Sequence, residues 1–149
     1  MKIELGSIER DSFECGELVR DYFKRTIAGK DTAPLVFKWP VYKALEDGGF
    51  YRLFVARDDD HILGFALYAV FEHMHHSKQV YAQCDMIGVM PESRHKGIGR
   101  QLITYAEGWF REHGVTHMLH LHRVVYRNTQ PLFEKLGFEL VELVYRKEL

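Results

Sequence analysis

A chain of 149 residues is one domain's worth of core, so a single domain over residues 1–149 is expected. Its 20 Lys and Arg nearly balance 21 Asp and Glu; no global charge points to nucleic acid or a membrane surface, and any basic site must be local. Two cysteines, Cys15 and Cys84, exclude a disulfide framework, and with no apolar run long enough to span a bilayer and no apolar signal region at Met1-Lys2-Ile3-Glu4, a cytoplasmic protein is expected.

Lys2 to Ile8 reads as an edge strand, and Glu9-Arg10-Asp11-Ser12 as the start of a helix. Phe13, Leu18, Tyr22, Phe23 and Ile27 fall near one face of that helix, and Gly29 is its expected stop. Lys30 to Pro34 is polar loop. Trp39-Pro40 opens a short helical stretch through Val41, Ala44 and Leu45; Pro40 suits the first turn, and Gly48-Gly49 ends it. Tyr51 to Arg57 is a strand, Asp58-Asp59-Asp60 a solvated turn, and Ile62 to Phe71 the returning strand of a hairpin. A calcium site would need a longer ligand loop than the three aspartates offer. Glu72 to Lys78, with His73, His75 and His76, connects to a strand over Tyr81 to Met90. Mid-strand, Cys84 is expected to be a buried free thiol. After Pro91-Glu92-Ser93 a helix runs to about His113. Ile98, Leu102, Ala106 and Phe110 mark its buried face, and Gly114 its C′ position. Thr116 to His122 is another strand. Asn128 or Thr129 caps a helix ending before Gly137, and Phe138 to Arg146 is the last strand.

The order is roughly β-α-α-β-β-β-α-β-α-β. The strands on either side of the 98–113 helix make a βαβ unit and are expected to be parallel, whereas the hairpin before it is antiparallel. The fold class is α/β (α+β): a mixed, mostly antiparallel central sheet with helices on both faces.

The stretch with the plainest chemistry is Arg94-His95-Lys96-Gly97-Ile98-Gly99, a basic, glycine-rich turn between a strand and a helix. Helix N-termini leave N–H groups without internal partners, and the dipole adds positive charge there. Gly97 and Gly99 let backbone approach an anion, and Arg94, Lys96 and Arg100 add full charges, with Arg able to pair bidentately with phosphate. Leu102 stands where a dinucleotide fingerprint wants glycine, and no P-loop occurs in the chain.

The run R-x-x-G-x-G resembles the acyl-CoA-binding motif of the GNAT superfamily of N-acetyltransferases. Downstream, Leu132-Phe133-Glu134-Lys135-Leu136-Gly137-Phe138 resembles that family's last helix and the turn into its final strands. The resemblance spans about Arg52 to Arg146 and implies a GNAT-like fold, with acetyl-CoA as co-substrate and an amine acceptor, a small molecule or a protein. It implies that pyrophosphate sits on the backbone from Arg94 to Gly99, with His95, Lys96, Ile98 and Arg100 around it. Pantetheine would run like an extra strand between the Tyr81–Met90 and Thr116–His122 strands, past Ile87 and Val89. A Val89 N–H would polarise the thioester carbonyl, with Gly88 permitting a bulge there.

Direct attack needs a neutral amine, whereas a lysine-like amine with a pKa of about 10.4 is mostly protonated at pH 7, so a base is expected. Asp85, four residues before Val89 and expected on the same strand face, is the first candidate. His120 and His122 are the second. Where the family often carries a tyrosine that protonates the departing thiolate, this chain has Phe133. Asn128 also sits closer to Phe133 than the family's asparagine does to its tyrosine, and gapless alignment puts Tyr126 at the asparagine position, where it is a candidate acid. Phe133 also keeps alive a second reading, a non-catalytic acyl-CoA-binding sensor or interaction module. The histidine-rich loop has neither paired cysteines nor a His-Glu motif, so no metal is expected. Neither nucleic acid nor membrane is expected as a partner; a homodimer stays open.

Overall fold

The computed structural model describes residues 1–26, 35–94, 96–121, 129–145 and 147, with the backbone alone for 22–26. The elements are β1 (Lys2–Leu5), α1 (Ile8–Thr26), α2 (Trp39–Asp47), β2 (Tyr51–Asp58), β3 (His61–Glu72), β4 (Val80–Val89), α3 (Ile98–Glu112), β5 (His117–His120) and α4 (Gln130–Lys135). The strands form one sheet in the order β1-β2-β3-β4-β5. Every neighbouring pair is antiparallel except β4 and β5, which the α3 crossover makes parallel, as the βαβ spacing requires.

Two apolar clusters sandwich the sheet. On one face Phe54, Ala66, Tyr68, Ala82 and Cys84 pack against Ile98, Leu102, Ala106 and Phe110 of α3. On the other, Leu53, Val55, Phe65 and Leu67 pack against Ile8, Cys15, Leu18 and Val19 of α1, with Trp39 and Tyr42 of α2 beside them. Gly97, at φ 76°, opens α3, and Gly114, at φ 79°, closes it in the left-handed conformation a side chain resists.

Three sequence expectations need correction. Phe13 is 76% exposed; the buried face of α1 is phased instead by Ile8, Asp11, Cys15, Leu18 and Val19. Tyr22 and Phe23 belong to the helix, but their side chains, like Ile27, Gly29 and the whole 30–34 loop, lie outside the described residues. The expected last strand is absent over the described residues 138–145. Leu140, Val141, Leu143, Val144 and Tyr145 are 64–89% exposed there, because no neighbouring strand offers them a hydrogen-bonded ladder. The third concerns the β4 bulge and is set out with the site.

The misplaced helical phase has a polar cause. Asp11 is 3% exposed, on the core side of α1. Its carboxylate accepts from the Ser7 N–H at 2.9 Å, Arg10 Nε at 2.9 Å and Arg57 Nη2 at 2.7 Å. A Cβ at Gly6 would come within 2.9 Å of the same carboxylate, so glycine makes room for it. Burial alone would raise the Asp11 carboxyl; the Arg10, Ser7 and Arg57 hydrogen bonds outweigh it and hold the carboxyl below its usual value. Asp11→Ala is therefore expected to cost about 1–3 kcal/mol in urea unfolding, by leaving the Ser7 N–H without its acceptor and Arg57 with Glu4 and the Asp60 carbonyl alone. A lowered folded pKa gives stability that is present above the unfolded value of about 3.9 and lost as pH falls through the folded one. The variant's deficit is accordingly full at pH 7 and shrinks below about pH 4.

Candidate active site

The glycine-rich turn sits where β4 hands over to α3. Pro91–Ser93 makes one 3-10 turn, Ser93 is buried, and Arg94 is extended and half-buried, with Lys96 and Arg100 exposed. The N-cap residue, Gly97, has no side chain, and among the described residues no side chain caps the first N–H groups of α3. Ile98, 2% exposed, anchors the helix start in the core. The two motif glycines serve different ends. Gly97 is needed for its positive φ. Gly99 has an ordinary helical conformation, and a Cβ there would meet nothing nearer than Val89 Cγ2 at 3.8 Å. The chain's own packing thus does not demand glycine at 99; the space above the helix start stays clear. An uncapped helix start, a cleared approach and three nearby cations fit a phosphate group.

Among the described residues, the same end of β4 has an open edge. β4 pairs with β5 only from Tyr81↔His117 to Cys84↔His120. Beyond Cys84, β4 continues to Val89 beside β3 alone, among the described residues. Met90 N–H donates to the Leu63 carbonyl at 2.8 Å, on the β3 side. Because N–H groups alternate sides along a strand, those of Val89 and Ile87 point to the open edge. An extended ligand can add there as a strand does.

The β4 bulge lies at Asp85, not near Gly88. Leu67 pairs with Met86 and Tyr68 with Cys84, so Asp85 is the extra residue. Gly88 is regularly paired with Phe65, and its lack of a side chain serves packing: a Cβ would sit 3.1 Å from the Phe65 ring. The bulge breaks the alternation that would have put Asp85 and Val89 on one face. Val89 packs toward α3, whereas Met86 packs on the α1 side with Tyr42 and Tyr51, the two phenols that act on Asp85.

Asp85 remains exposed, yet desolvation by its surroundings raises its carboxyl above the usual value, and the nearby Tyr42 and Tyr51 hydroxyls pull it partly back. Both phenols shift upward, by burial first and then by the Asp85 charge, Tyr51 to about 12. An accessible carboxylate with a raised pKa beside an open strand edge is the arrangement a general base needs.

His120, at the end of β5, occupies a different environment. Burial pushes it down to about 4, so it is neutral at pH 7. Its Nε2 lies 3.1 Å from the buried Tyr68 hydroxyl, and its ring is 5.0 Å from Phe133 and 5.1 Å from Phe138. Phe133 is thus a packing residue at the α4–β5 contact. Cys84, opposite His120, is a free buried thiol pushed up to about 12 by burial.

Of the residues singled out from sequence, the structure gathers Asp85, Ile87, Val89, Arg94, Lys96, Gly97, Ile98, Gly99 and Arg100 along β4 and the start of α3. His95, His122, Tyr126 and Asn128 lie outside the described residues. Sequence reading missed Tyr51 as a partner of Asp85. Its only signal was alternation: Tyr51, Leu53 and Val55 share the face that meets α1. His73 meets His75 edge-on and His76 at a tilt, at 5.9 and 4.6 Å between ring centroids, but no group of three or more metal-ligand side chains is placed to hold an ion among the described residues. Nor is any helix there long and apolar enough to cross a membrane.

This fold recurs in solved structures. A tetramutant of a Bacillus halodurans protein matches with a TM-score of 0.80 at 13% identity, over 100% of both chains. Ribosomal-protein-alanine N-acetyltransferase from Brucella melitensis biovar Abortus 2308 matches at 0.75 and 19% identity, over 100% of both. An aminoglycoside acetyltransferase from an uncultured soil metagenomic sample, in complex with sisomicin, matches at 0.71 and 17%, over 99% of this chain and 96% of that one. At such identities the likeness is one of fold. No curated protein matches the sequence. The pattern of the acetyltransferase (GNAT) family, however, matches residues 14–138, which takes in α2, the whole β2–β5 sheet, the glycine-rich turn and α4. The chain belongs to the acetyltransferase (GNAT) family.

Proposed function

We propose that the protein transfers an acetyl group from acetyl-CoA to a primary amine by direct attack in a ternary complex. The observation that carries this reading is the continuity of the open β4 edge with the uncapped start of α3. Together they offer a strand-like slot and a phosphate seat on one path. In this reading the first amides of α3, with Arg94, Lys96 and Arg100, hold the pyrophosphate, and the outward N–H groups of Ile87 and Val89 hold pantetheine. The Val89 N–H would polarise the thioester carbonyl. Asp85 takes a proton from the acceptor nitrogen; the N–C bond forms, the C–S bond breaks, and the thiolate takes a proton from solvent or from Tyr126.

Incubating the protein with acetyl-CoA and an amine panel, with CoA release and acetylated products read by mass spectrometry, tests the reading. Turnover of at least one amine is expected.

Phe133 favours the second reading, a CoA-binding module without turnover, because no proton donor stands at that position of α4. We expect that it does not prevail. A thiolate with a pKa near 8.5 is a tolerable leaving group, and losing a general acid costs about 10²–10⁴-fold rather than everything. Tyr126→Phe is expected to lower turnover with acetyl-CoA affinity unchanged. If Tyr126→Phe is silent while Phe133→Tyr accelerates, then no residue has replaced the missing acid. Tight acetyl-CoA binding with no CoA release across small amines, peptides and proteins would establish the binding module instead.

A further inference from the structure

Four aromatic rings lead to Asp85. Phe37 stacks on Trp39 at 4.8 Å between ring centroids, Trp39 tilts against Tyr42 at 5.5 Å, and Tyr42 meets Tyr51 edge-on at 5.5 Å. They come from the segment before α2, from α2 and from β2, and they flank the α1-side cluster of the sheet. The hydroxyls of the last two rings lie near enough to Asp85 to draw its carboxyl down. The β4 bulge is what turns Asp85 onto this wall, and the carboxylate stays exposed at its end.

We propose that Asp85, Tyr42 and Tyr51 form the acceptor subsite, and that it selects a primary amine carried on an apolar aryl or alkyl stem. The proposal rests on the acetyl-transfer reading and names the substrate class for it. An ionised carboxylate has about four lone-pair sites; two phenol donors leave room for an ammonium, which brings three donors of its own. Phenol and indole faces attract a cation within about 6 Å and pack against the carbons behind it. The amine enters as ammonium and gives Asp85 the proton that frees its lone pair, so recognition and deprotonation fall on one group. Tyr42 and Tyr51 are positioning residues: they wall the subsite and favour the ionised form of Asp85.

The test measures amine kinetics with the full chain at saturating acetyl-CoA. The panel holds phenethylamine, an n-alkylamine, spermidine, an α-amino acid and a lysine peptide. The highest kcat/KM is expected for the first two. Tyr42→Phe and Tyr51→Phe should each raise the amine KM about tenfold with acetyl-CoA affinity unchanged. A structural role alone would not move the acid limb of the pH profile, so that limb is the second readout. The titratable neighbours of Asp85 are Tyr42 on α2, Tyr51 on β2 and the adjacent Cys84. Each phenol lowers the Asp85 carboxyl, so its removal shifts the limb to higher pH. Trp39→Leu is expected to narrow the preference for the aryl over the alkyl stem. Preference for spermidine, the amino acid or the peptide overturns the proposal, as do an unchanged KM and limb in both phenylalanine variants. NMR titration of the protein with phenethylamine decides the matter independently of turnover. Shifts at Tyr42, Tyr51 and Asp85 support the subsite, and their absence sinks it. Failure to bind acetyl-CoA would instead sink the acetyl-transfer reading.

Discussion

Gly99→Glu is expected to abolish acetyl-CoA binding while leaving the fold intact. The new side chain has space, since its Cβ would lie 3.8 Å from Val89 Cγ2 and Gly99 has no positive φ. A glutamate in the first turn of a helix also meets a favourable dipole and has better helix propensity than glycine. The apo melting temperature should therefore hold or rise. What changes is the ligand's side of the site. A carboxylate placed about 4 Å from a phosphate costs on the order of 4 kcal/mol at an effective dielectric constant of about 20. That corresponds to about 10³-fold in affinity. Thermal stabilisation by acetyl-CoA, expected in the wild type, should vanish in the variant. Equal stabilisation of both proteins would move the phosphate seat away from the start of α3. An apo protein that no longer melts cooperatively would show that glycine at 99 serves the fold.

Local patterns carried most of this architecture. The β2–β3 hairpin, the α3 stripe of Ile98, Leu102, Ala106 and Phe110, the Gly114 stop and the parallel βαβ pair each depend on periodicity or turn chemistry within about 30 residues. What escaped depends on partners distant in sequence. Asp11 hides a charge on the apolar face of α1 because Arg57 meets it from β2, and no local count of hydrophobics anticipates that. Strand propensity over Phe138 to Tyr145 is high, but a strand exists only with a neighbour, and the described residues supply none. The bulge at Asp85 appears only when β4 is counted against β3. Asp85 was legible as a candidate base by its place on the strand before the glycine-rich turn. The face it uses and its two tyrosine partners were not, since one extra residue reverses the alternation.

Asp85→Asn is expected to lower kcat at neutral pH by about 10²–10⁴-fold, the span general bases typically contribute, with acetyl-CoA affinity little changed. Asparagine has nearly the shape of aspartate, and its amide oxygen remains an acceptor, so the wall need not rearrange. Linkage sharpens the test. The folded carboxyl of Asp85 is raised above its unfolded value, chiefly by desolvation. Stability tied to this group is therefore present below the unfolded pKa and lost as pH rises through the folded one. At pH 7 the ionised carboxylate is a burden on the fold, and neutral asparagine relieves it. The variant should melt no lower than wild type while turning over far more slowly, a combination that a structural carboxylate cannot produce. Its pH profile should differ too. Wild-type activity is expected to fall at low pH as the Asp85 carboxyl takes up its proton. Without that group, attack depends on the small neutral fraction of the acceptor, which grows about tenfold per pH unit below an amine pKa near 10.4. The variant's rate should climb with that slope and close much of the gap by pH 9. A collapsed melting temperature would mark Asp85 as structural, and wild-type kcat at pH 7 would return the base assignment to His122.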